Sequence, residues 1–139
     1  MDIELVDELD KASRKVPGTR RIPAEAAAAF LKSLAEIFVA DPSSLHWWES
    51  LRGRATGVPY GNGDGLVILE SLLGDQAEVL LVVTDQEEPP WPVYAGSALQ
   101  LIAILRECRF CEYMVAAHDM SWVVFDTHMN ELVSVGLDS

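Results

Sequence analysis

Positive charge is scarce in this 139-residue chain: ten Lys and Arg face 22 Asp and Glu, a net −12 at pH 7, and no Lys or Arg occurs between Arg54 and Arg106. So acidic a surface repels phosphates, which argues against duplex DNA and anionic membranes as partners. Cysteine is nearly absent, and two thiols cannot build a disulfide-dense secreted scaffold. No apolar run approaches the ~20 residues of a spanning helix, and the opening Met1-Asp2-Ile3-Glu4 is acidic where a secretory signal is basic. Repeats and low-complexity tracts are also missing. Against these absences, half of the residues are hydrophobic, which excludes intrinsic disorder. The expectation is a cytoplasmic protein forming a single globular domain over 1–139.

The negative charge is unevenly placed. Residues 1–54 hold nine acids and eight bases, whereas residues 55–139 hold 13 acids against Arg106 and Arg109 alone. An acidic half of this kind either keeps an apolar protein dispersed or steers a basic partner toward it.

Along the chain, residues 1–54 read as mainly helical. Ile3, Leu5, Val6, Leu9 and Ala12 recur at helical spacing until Pro17-Gly18 breaks the pattern. Pro23 suits a first helical position, and Ala24–Val39 carries a stripe of Phe30, Leu34, Ile37 and Phe38. Asp41-Pro42 resembles a cap opening a short helix with Leu45, Trp48 and Leu51 on one side. Thr56–Gly65, with five turn-formers, reads as loop. Residues 64–136 read as mainly sheet. Leu66–Leu73 and Val79–Thr84 fit a hairpin, although the first run also fits a helix. Prolines 89, 90 and 92 exclude a central strand over Asp85–Pro92, leaving Val93-Tyr94 as a brief edge strand. Ser97 caps a helix over about 97–107, and Tyr113–Ala117, Trp122–Asp126 and Leu132–Val135 form an antiparallel meander. The fold class is α+β: N-terminal helices packed on a C-terminal, mainly antiparallel sheet with one inserted helix.

Several constellations bear on chemistry. Cys108-Arg109-Phe110-Cys111 is a C-x-x-C, but it follows a helix, whose negative end disfavours thiolate. As half of a zinc site it needs His118 and His128, at a spacing unlike common zinc patterns. Small residues at a helix–strand junction are the plainer reading, so no metal or other cofactor is expected. Tyr60–Gly65 is glycine-rich but lacks the Lys-Ser/Thr of a phosphate loop, and it fails as a calcium loop. Ser97 lacks the second glycine of a nucleophile elbow. His118-Asp119 and Asp126-Thr127-His128 fall on strand connections, where acid–imidazole neighbours do general acid–base work or simply make turns. His118, Asp126 and His128 are therefore the catalytic candidates. Trp48 and Trp122 fit a core by periodicity, Trp47 points elsewhere, and Trp91 sits in the stiff loop Glu87-Glu88-Pro89-Pro90-Trp91-Pro92. Such a loop either covers the sheet or offers an aromatic anchor within a negative rim.

The ordered series Leu80-Leu81-Val82-Val83-Thr84-Asp85, Pro89-Pro90-Trp91-Pro92-Val93-Tyr94-Ala95-Gly96-Ser97, Glu112-Tyr113 and Trp122–Asn130 resembles a family of small, uncharacterised bacterial domain proteins. In style these are similar to the acidic immunity proteins that accompany secreted bacterial toxins. The resemblance covers about residues 64–136 and carries no activity with it; it implies a bacterial, non-enzymatic protein.

These readings converge on an acidic binding module that engages a basic protein partner, with a toxin-neutralising immunity protein as one form. Its expected contact surface is Asp85, Glu87, Glu88 and Trp91 with Asp64 and Glu112. The alternatives are a small enzyme or ligand- or metal-binding protein using His118, Asp126 and His128, with or without Cys108 and Cys111, and a homo-oligomeric structural subunit.

Overall fold

The computed structural model describes residues 3–44, 46–85, 90–109, 111–127 and 129–137. In chain order the elements are α1 (Ile3–Lys15), β1 (Arg20–Arg21), α2 (Ala24–Phe38), a 3-10 turn (Trp47–Glu49), β2 (Ala55–Pro59), α3 (Gly65–Leu73), β3 (Val79–Val83), β4 (Val93–Gly96), α4 (Ala98–Glu107), β5 (Tyr113–Ala117), β6 (Val123–Asp126) and β7 (Glu131–Val135). The seven strands form one sheet in the order β1-β4-β3-β5-β6-β7-β2, every pair antiparallel. The α+β expectation holds.

The sequence of β3, Val-Leu-Leu-Val-Val, explains the layering. Successive strand residues face opposite sides, and all five are buried, so both faces of the sheet must be covered. Val79, Leu81 and Val83 join Tyr94, Tyr113, Val115 and Val124 beneath Leu5 and Leu9 of α1, Leu69 and Leu73 of α3, and Leu101 and Ile104 of α4. Leu80 and Val82 join Val93, Met114, Ala116 and Phe125 beneath Leu31, Leu34 and Phe38 of α2. The N-terminal helices therefore divide between the two faces. One polar tie fixes α1 to the sheet: the buried Tyr94 donates its hydroxyl proton to Asp10 Oδ1 at 2.7 Å, and Arg21 of β1 pairs with the same carboxylate at 3.1 Å.

Several local expectations need correction. Thr56–Gly65 is not all loop, because Ala55–Pro59 pairs with Glu131–Val135 as an edge strand. Leu66–Leu73 is not half of a hairpin. It is the helix α3, opened by Asp64, whose Oδ1 accepts the Leu66 N–H at 2.9 Å. Val93-Tyr94 is not at the edge, since two residues of β1 pair outside it. The helix expected after Asp41-Pro42 shrinks to a 3-10 turn, and the tryptophans exchange roles. Trp47 is buried, with its indole N–H donating to the Pro42 carbonyl at 3.0 Å, while Trp48 is half-buried. In α2 the buried stripe is Ala27, Leu31, Leu34, Ala35 and Phe38, with Ile37 exposed.

The cap of α4 is as expected. Ser97 Oγ accepts the Gln100 N–H at 3.1 Å, and Gln100 Oε1 accepts the Ser97 N–H at 2.9 Å. Ser97→Ala removes one half of this reciprocal pair and is expected to destabilise the protein by about 1 kcal/mol, measured as a lowered urea midpoint at unchanged m value.

Candidate functional site

Antiparallel pairing of β5 with β6 sets Tyr113 opposite Asp126, and pairing of β3 with β5 sets Val83 opposite Tyr113. The last residue of β3, the first of β5 and the last of β6 thus share one end of the sheet. Asp85 leaves β3 there through a turn with φ of 40°, its N–H donating to the Glu112 carbonyl at 3.0 Å. The N-terminus of α3 and the C-terminus of α4 lie over the same end. Between them opens a cleft of about 520 Å³ lined by Tyr60, Asp64, Leu66, Leu105, Arg106, Cys108, Arg109, Cys111, Tyr113 and Asp126, among others. A groove of similar volume between α2, Trp47 and Pro90 is mainly apolar.

Asp126 is the chemical centre of the cleft. It is 4% exposed, and the Tyr60 hydroxyl donates to its Oδ1 at 2.7 Å. Burial pushes the carboxyl up to about 6, reinforced by the nearby Glu112 and opposed by the Tyr60 and Tyr113 hydroxyls. Tyr60 reaches Asp126 because Gly65 lacks a side chain: a Cβ there would stand 2.9 Å from the ring. The Tyr113 hydroxyl is close enough to influence Asp126, yet its geometry completes no hydrogen bond, and among the described residues it is buried without a partner. Buried polar groups are nearly always satisfied, so such an atom lining a cleft calls for an explanation. Burial also raises both tyrosine hydroxyls, which keeps them neutral at physiological pH.

The cleft's arginines are engaged. Arg106 pairs with Asp64 at 3.0 Å, and Arg109 pairs with Glu8 and, at 3.5 Å, with Glu4 of α1. The Arg106 contact holds the Asp64 carboxyl below the usual carboxylate range. Both bases of residues 55–139 are therefore bound internally.

The two cysteines sit at the helix–strand junction, Cys108 half-buried and Cys111 buried. Burial first, then neighbouring acids, pushes Cys108 up to about 11 and Cys111 to about 12. Both are thiols at neutral pH, poorly suited to nucleophilic work. Among the described residues no group of three or more His, Cys, Asp or Glu is arranged to hold a metal.

The structure separates two of the three catalytic candidates, His118 and Asp126. His118 is exposed in the β5–β6 turn, five residues along β5 from the Tyr113 that neighbours Asp126, or roughly 16 Å at ~3.3 Å per residue. Its neighbour Asp119 accepts from the Ser121 hydroxyl and N–H, as a turn residue does. His128 lies outside the described residues. Of the expected partner surface, Glu87 and Glu88 also lie outside them. Trp91 is no exposed anchor: it is 3% exposed and stacks edge-on against Trp47 with ring centroids 4.9 Å apart. Glu112 is buried, Asp85 half-buried, and Asp64 capped onto α3. Even so, Asp64, Asp85, Glu112 and Asp126 gather at one end of the sheet. Tyr60 and Tyr113 were missed by sequence reasoning, since nothing local links residues 60 and 126.

No described helix is long and apolar enough to cross a membrane. No family model, curated protein or solved structure matches the chain.

A carboxyl raised on folding costs stability when ionised. The contribution of its neutral form is complete below the ordinary value of 3.8 and is lost as pH rises through about 6. Asp126→Asn keeps an acceptor for Tyr60 and is expected to match the parent near pH 3.5. It should exceed it by about 2 kcal/mol at pH 7, allowing for solvent in the cleft. Paired urea titrations across this range check the sign.

Proposed function

We propose that the protein is an acidic, cytoplasmic binding module whose cleft end of the sheet receives a basic protein partner. The observation that supports this best is the convergence of Asp64, Asp85, Glu112 and Asp126 from four chain segments on one end of the sheet, in a half of the chain whose two bases are already paired. Like charges gathered on one side focus a field that accelerates encounter with an opposite charge and selects against acidic competitors. The same features suit an immunity protein that occupies the cationic, nucleic-acid-binding surface of a toxin domain.

The test is binding to the purified product of the neighbouring open reading frame, followed by stopped flow at two salt concentrations. The expected result is a basic partner that associates more slowly as salt rises. Glu87→Lys with Glu88→Lys, two and three residues after Asp85 in sequence, should slow association about tenfold at low salt and flatten its salt dependence. A neighbouring product that does not bind, or an association rate indifferent to salt, overturns the reading.

A further inference from the structure

We propose that the cleft is a receptor for one organic cation, an alkylguanidinium or alkylammonium group, held between the Asp126 carboxylate and the Tyr113 hydroxyl. This rests on the reading of the protein as an acceptor of basic partners and supplies the element that recognises them.

Four observations carry it. Asp126 has two oxygens, and among the described residues Tyr60 is its hydrogen-bond donor at 2.7 Å, while no Lys or Arg pairs with it. The remaining lone pairs suit N–H donors, and a carboxylate with a cation forms the strongest class of protein hydrogen bond. Independently, the Tyr113 hydroxyl lines the same cleft, buried and, among the described residues, without a hydrogen-bond partner, so its oxygen can accept a further N–H. Arg106 and Arg109 are closed onto Asp64 and Glu8, so an anionic ligand meets no free guanidinium. Finally, Leu66, Leu105 and the Tyr60 ring line the cleft and offer apolar surface to the stem behind a charged head, as long basic side chains require. A buried carboxyl that weakens the fold when ionised marks a candidate binding group. An incoming cation supplies the counter-charge that the fold withholds.

The experiment is a titration of the intact chain, followed by NMR at the Tyr113 and Asp126 signals, with n-butylguanidinium and n-butylammonium. Butyrate and n-butanol are the anionic and neutral controls. Saturable shifts with both cations and none with the controls are expected. Asp126→Asn, expected to retain the fold because it removes a buried charge, should weaken binding at least about tenfold, and Tyr113→Phe several-fold. An acetylated, amidated Gly-Arg-Gly peptide separates the sources: affinity equal to that of butylguanidinium assigns the site to a protein side chain, and exclusion of the peptide assigns it to a free cation. Equal response to butyrate, or undiminished cation binding by Asp126→Asn, overturns the proposal. Because no partner is present, its failure is distinct from that of the protein-binding reading, which stands or falls on the neighbouring gene product.

Discussion

Burial of both faces of the two central strands governs the rest of this structure. All residues of β3 and β5 are buried, so neither strand presents a side chain to water along its length. Helices must then lie on both sides, which divides α1, α3 and α4 from α2. Solvent reaches these central strands mainly at their ends, and their polar chemistry is displaced there. Asp126, Glu112 and Tyr113 occupy one such end and His118 the other. The same constraint keeps Asp126 and His118 apart, because residues at opposite ends of a buried strand have no short route to one another.

The cleft end combines groups that would be unfavourable singly. The Asp126 carboxyl is desolvated beside another buried acid, Glu112, and only tyrosine hydroxyls ease it. Two arginines nearby are committed to α1 and to the cap of α3. Those ion pairs are half-exposed and each adds little to stability, but they fix the relative placement of α1, α3 and α4 around the opening. They also leave the field inside the cleft negative. A site built in this way is preorganised for positive charge: the acids are in place and the competing cations are held at the rim.

Much of the fold was legible in the sequence because its signals are local. The Ser97 cap, the Pro17-Gly18 break and the three closing strands can each be read from a few neighbouring residues. β2 was not legible, since an edge strand of Ala-Thr-Gly-Val-Pro has neither alternation nor a buried face and is held chiefly by β7. The interior position of β4 was hidden because its neighbour β1 has only two residues. Trp47 and Trp48 exchanged roles because a 3-10 turn replaced the helix on which their periodicity was judged. For the site, Asp126, Asp64 and the cysteines could be nominated by residue type. Their convergence could not, because the Tyr60–Asp126 contact spans 66 residues and depends on the absence of a Cβ at Gly65.

The two-residue strand β1 bears on more than topology. Arg20 and Arg21 lie against the outer side of β4, a buried strand whose far edge would otherwise display unpaired amides and carbonyls. Exposed edges of apolar strands template aggregation, and charged side chains on a very short outer strand are a recurrent safeguard against it. Arg21 is in turn held by Asp10, which Tyr94 of β4 also grips. The safeguard is therefore latched to the strand it protects. In a chain so poor in positive charge, two adjacent arginines are placed on this edge of the sheet.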